Sequence, residues 1–65
     1  MWVEFMSVRN AYIAETWREV FAAEGLAVRV LPPIGVGERA PKHEERTLYV
    51  PTGKAHVARE ILRKI

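Results

Sequence analysis

At 65 residues and 7.4 kDa the chain has room for one small domain and no second core. Apolar residues at 49% and charged residues at 28% are ordinary globular proportions, which exclude a disordered chain, and no run approaches the ~20 apolar residues that cross a bilayer. The ten basic and eight acidic side chains, net +2, are spread along the chain and not gathered into the basic run that nucleic-acid binders use, so nucleic acid is not the expected partner.

Cysteine is absent, which excludes disulfides and thiolate zinc sites and leaves the core without a covalent staple. The opening "MWVEFMSVRN" has no basic leader before an apolar run, and Glu4 interrupts that run, so the cytoplasm is the expected compartment and no membrane contact is expected. There is no glutamine and a single asparagine, while Arg and Glu are plentiful, a drift seen in heat-adapted proteins that points to a thermophilic source.

In chain order, "WVEFM" alternates Val3 and Phe5 with Trp2, Glu4 and Met6, a period of two that predicts the first strand. Next, Ile13, Ala14, Trp17, Val20 and Phe21 recur at helical spacing. Asn10 stands where an N-cap belongs and Gly25 where a left-handed C-cap belongs, which predicts a helix over about 11–24 with Leu26 closing onto Phe21. "LAVRVL" alternates again, Val28 and Val30 against Ala27, Arg29 and Leu31, until Pro32 and Pro33 stop the ladder. After a long connection, "RTLYVP" turns Leu48 and Val50 to one side and Thr47 and Tyr49 to the other. Finally "TGKAHVAREILRKI" sets Val57, Ala58, Ile61, Leu62 and Ile65 on one helical face, with Thr52 as the expected N-cap and Arg63 and Lys64 at the negative end of the dipole.

The order βαββα restricts the topology. A right-handed crossover leaves a gap between strands one and two, into which strand three folds back as a hairpin. The expected fold is therefore α+β, a ferredoxin-like βαββα plait with a three-stranded antiparallel sheet in the order 1-3-2 and two helices on one face, spanning 1–65 as a single domain. Strand one is then an open edge, guarded by one charge, Glu4. The face opposite the helices is expected to carry Trp2, Met6, Leu31 and Tyr49. With Glu4 these four residues form a candidate interface, and a homodimer pairing strand one with strand one is the expected way to cover it; a tail or another partner is the competing way.

The opening "MWV", the helix end "AAEGLAV" and the close "LYVPTGKAHVAREIL" resemble, over nearly the whole chain, a small prokaryotic family of signal-transducing proteins within the superfamily of GlnB-like nitrogen-regulatory domains. The resemblance implies a fold more than a function, because the family's biochemistry is not firmly assigned. An acidic pair often follows the last strand's proline in that family, whereas Thr52, Gly53 and Lys54 follow Pro51 here. In GlnB-like regulators the connection between strands two and three is a long loop whose base helps to bind nucleotide and whose tip contacts partners, and this chain has "GVGERAPKHE" in the same connection.

That connection, "LPPIGVGERAPKHEER", is the candidate contact region from Pro32 to Glu45. Gly35 and Gly37 would let backbone amides approach an anion, and Arg39, Lys42 and His43 would supply charge, the chemistry of a phosphate-bearing ligand. Against it, a lone G-x-G is a weak motif, no helix dipole follows, and Glu38, Glu44 and Glu45 oppose an anion. His43, Glu44, Glu45 and His56 lack the spacing of a metal site, so no metal or other cofactor is expected. Ser7 is the only serine and nothing in the sequence places a base beside it, so no enzyme is expected. The expected function is a small non-enzymatic ligand- or protein-binding module. An enzyme would require a buried His43 or His56 lining a pocket. An RNA-binding plait would require Arg29, Arg46 and Tyr49 on one exposed face.

Overall fold

The computed structural model describes residues 1–32 and 43–65. Within them the expected order is found: β1 (Trp2–Val8), α1 (Ala11–Ala23), β2 (Arg29–Leu31), β3 (Arg46–Pro51), a 3-10 turn over Thr52–Lys54 and α2 (Ala55–Lys64). β3 lies in the centre of an antiparallel sheet ordered β1-β3-β2. The fold is α+β in the ferredoxin-like βαββα arrangement.

Both termini of α1 follow from single residues. The Asn10 side chain accepts the Ile13 N–H at 2.9 Å, satisfying one of the donors a helix start leaves without a partner. At the other end Gly25 takes φ 85°, the Leu26 N–H donates to Phe21 O and the Gly25 N–H donates to Ala22 O, both at 2.9 Å. This pair of bonds is a Schellman motif, and it drops Leu26 into the core beside Phe21. The same motif shortens β2. The alternation in "LAVRVL" predicts a strand from Leu26, but the cap holds Leu26 and only Arg29–Leu31 join the ladder.

α2 also starts later than the sequence suggests. Thr52 is not its N-cap: the helix begins at Ala55 after the 3-10 turn, with no side-chain cap. The Thr52 N–H and hydroxyl instead both donate to Met1 O, at 2.9 and 3.1 Å, joining the start of β1 to the end of β3. Lys64 then reaches Glu24 at 3.1 Å, tying the end of α2 to the end of α1.

One core forms between the helices and the sheet. Phe21 and Leu26 pack with Val50, Ala58 and Ile61, joined by Phe5, Met6, Trp17, Val28 and Leu62, which places both helices on the Val50 side of the sheet. Phe21 meets Phe5 edge-on at 6.0 Å between ring centres and Trp17 at 5.9 Å. In the predicted stripes Ile13 on α1 and Ile65, beyond the last turn of α2, are exposed.

Candidate functional site

The face of the sheet turned away from the helices is set by β3, the strand whose alternation is strictest. Arg46, Leu48 and Val50 are buried on the helix side, so Thr47 and Tyr49 stand on the open side. Register then places the neighbours. Glu4 and Arg29 both pair with Tyr49, Leu31 and Ser7 both pair with Thr47, and Trp2 pairs with Pro51. Paired residues share a face, so Trp2, Glu4, Ser7, Arg29, Leu31, Thr47 and Tyr49 belong to one surface. The Ser7 and Thr47 hydroxyls are 3.4 Å apart across the strands.

Four of the five residues expected at the interface, Trp2, Glu4, Leu31 and Tyr49, are therefore brought together. Met6 is not. β1 carries a bulge between Glu4 and Met6, where the extra residue Phe5 has no counterpart on β3. Across the bulge the alternation shifts by one, so Met6 pairs with Leu48, and both Phe5 and Met6 pack into the core. A period of two carried unbroken along "WVEFM" places Met6 on the wrong face for this reason, and it hides Ser7 from the open face.

Trp2 and Arg29 are the most distinctive part of the surface. The Arg29 guanidinium reaches from β2 across β3 to lie 5.4 Å from the centre of the Trp2 ring on β1. Trp2 is still 40% exposed and Leu31 38%. The stack was within reach of the sequence, since the alternation in "LAVRVL" and the order 1-3-2 put Arg29 and Trp2 on one face.

Arg46 does not meet the condition that the RNA-binding alternative sets for it. It is buried on the helix side, where Nη1 donates to the carbonyl oxygens of Glu44 and Glu45 at 2.9 and 3.0 Å. The basic and aromatic trio required for RNA is thus incomplete: Arg29 and Tyr49 share the open face, and Arg46 faces the other way. Arg46 instead fixes the chain as it enters β3.

Of the residues proposed for a phosphate-bearing ligand, Gly35, Gly37, Arg39 and Lys42 lie outside the described residues. His43 is described, and it is exposed in a turn beside the exposed Glu44 and Glu45. His56 is exposed on α2. Among the described residues no group of acidic and histidine side chains is arranged to hold a metal, and no pocket opens.

The outer edge of β1 has a definite hydrogen-bonding phase. The Thr52 N–H bonded to Met1 O marks a bonded position, and bonded and non-bonded pairs alternate along an antiparallel ladder. Val3 and Val50 then form the next bonded pair, while Trp2 and Glu4 turn their N–H and C=O groups outward. Pro51, which has no N–H, stands opposite Trp2, where none is needed. Among the described residues β1 pairs only with β3. No helix among them is long and apolar enough to cross a membrane. Comparison with protein-family models, curated proteins and solved structures gives no match to this chain.

Proposed function

We propose that this chain is a non-enzymatic binding module, of the signal-transducing GlnB-like kind that its sequence resembles, and that it engages a protein partner through the open face of its sheet. One observation carries the reading: Trp2 lies under Arg29 on a face that also holds Leu31 and Tyr49. Aromatic side chains and arginine are the residues that interface centres favour and that supply most of the binding energy where they are desolvated. A protein is favoured over RNA because Arg46 points to the helix side and the carboxylate of Glu4 shares the open face. The candidate contact region from Pro32 to Glu45 follows Leu31 in sequence, and most of it lies outside the described residues.

The test uses a photo-cross-linking side chain at Tyr49, with one at exposed Glu19 on α1 as the control, in extract of the source cell. A partner captured from Tyr49 and not from Glu19, then purified and found to bind the Trp2→Ala chain at least ~30-fold more weakly, is the expected result. Equal capture from both positions, or binding that Trp2→Ala leaves within about twofold, overturns it. Shifts of the Trp2 and Tyr49 signals on titration with single-stranded RNA would replace it with the RNA reading, and shifts at His43 and Glu44 on titration with a nucleotide would replace it with the small-ligand reading.

A further inference from the structure

We infer that β1 pairs with β1 of a second copy in one particular register, with Val3 on the two-fold axis and Glu4 of each copy beside Trp2 and Arg29 of the other. The backbone contact runs along the edge of the sheet and adds one carboxylate beside the Trp2–Arg29 stack of the open face, so it goes beyond the reading above and does not depend on it.

The register follows from hydrogen-bonding phase and charge. Trp2 and Glu4 both turn their backbone groups to the free edge, so a second strand must place its own outward residues opposite them. Of the three antiparallel arrangements of identical strands that do this within the segment, the one centred on Trp2 pairs only Met1 to Val3 and leaves the outward groups of Glu4 without a partner, so two remain. Centred on Glu4, the axis sets Glu4 against Glu4 of the other copy, and like charges directly opposite are destabilising. Centred on Val3, it sets Trp2 opposite Glu4 in both halves of the contact.

The second arrangement is complementary where the first repels. Arg29 already lies 5.4 Å from the centre of the Trp2 ring, so a carboxylate delivered opposite Trp2 arrives beside a guanidinium. Val3, on the helix side of the edge and 38% exposed, meets its own symmetry mate at a non-bonded pair, where side chains approach most closely. The bulge at Phe5 ends the regular ladder and confines the pairing to the segment from Met1 to Phe5. An edge charge and a bulge are devices that commonly prevent strand addition. Here they exclude the wrong register and limit the length, while the Arg29 partner makes Glu4 favourable in the right one. The two-fold axis runs perpendicular to the sheet, so the result is one six-stranded sheet with all four helices on one side and two Trp2–Arg29 stacks adjoining on the other.

Sedimentation across a concentration series decides it. The expected mass is twice 7.4 kDa, approached as concentration rises. Glu4→Arg and Arg29→Glu each reverse two symmetry-related contacts and are expected to raise the dissociation constant by roughly 30-fold, and the double exchange to restore it to within about threefold. Glu4→Pro removes one outward N–H and no bond to β3, so the monomer keeps its amide spectrum while the dimer is lost. A single-chain mass throughout, a double exchange as weak as either single change, or a dimer unaffected by Glu4→Pro overturns the inference. A monomer that still loses its partner with Trp2→Ala would overturn this contact alone and leave the open-face reading standing.

Discussion

Gly25→Ala isolates the energetic consequence of one backbone angle. Gly25 has φ 85°, and a Cβ built on it meets nothing within 4 Å, so no steric clash contributes to the cost. What remains is the left-handed conformation, which costs an L-residue about 1–2 kcal/mol, offset in part by the lower entropy of the unfolded chain with alanine. Gly53 supplies the internal control. It lies in the 3-10 turn without a positive φ, and a Cβ there also meets nothing within 4 Å, so Gly53→Ala changes the unfolded-state term alone. The difference between the two variants is therefore the left-handed term, about 1–2 kcal/mol with Gly25→Ala the less stable. For a domain of this size each kcal/mol moves the melting temperature by about 4–8 °C. Urea unfolding followed by the fluorescence of Trp17, half-buried against Phe21, reads the difference directly. Coincident midpoints at equal slope, or Gly53→Ala as the weaker of the two, would refute the reasoning.

Phe21→Ala removes a fully buried ring that touches Phe5 and Trp17. A loss of about 3–5 kcal/mol is expected from a total that chain length sets at roughly 3–10 kcal/mol, and circular dichroism with amide dispersion should show a chain largely unfolded at room temperature. Arg46→Gln gives up the two bonds to Glu44 O and Glu45 O and is expected to cost about 2 kcal/mol, with faster amide exchange over residues 44–46; unchanged exchange there would contradict the anchoring role. Asn10→Ala should cost about 1 kcal/mol and fray the first turn of α1 in amide exchange. Thr52→Ala should cost about 0.5–1.5 kcal/mol while leaving the protection of the first turn of α2 unchanged, because its hydroxyl binds Met1 O and caps nothing.

The elements and their order were legible because each rests on a local pattern: alternation in "WVEFM" and "RTLYVP", apolar spacing in the helices, and Asn10 and Gly25 at the ends of α1. The departures are cooperative. A bulge depends on how two strands pair and leaves no mark in one of them, so Met6 reads as an open-face residue until β3 is laid beside it. The Schellman motif takes Leu26 away from β2 because burying it against Phe21 competes with extending a ladder at the sheet's edge. Arg46 carries a charge that a buried position must satisfy, and bonds such as those to the carbonyl oxygens of Glu44 and Glu45 make its burial tolerable. At the candidate surface, alternation found Trp2, Leu31 and Tyr49, while Ser7 was displaced by the bulge.

The central position of β3 has a consequence for how the chain acquires its structure. β1 and β2 do not pair with each other; Trp2 finds Pro51 and Arg29 finds Tyr49. During synthesis, which runs from the N-terminus, the first 31 residues can form α1 and its caps, but neither strand has a ladder until residues 46–51 emerge. Sheet formation then closes two loops, a short one between β2 and β3 and one from β1 to β3 that spans most of the chain, the long-range step with the larger entropy cost. Folding should thus be a single late event triggered by β3. A fragment ending before Arg46 should show the helix and no sheet, and adding the peptide from Arg46 to Ile65 in trans should supply both neighbours of that missing strand at once.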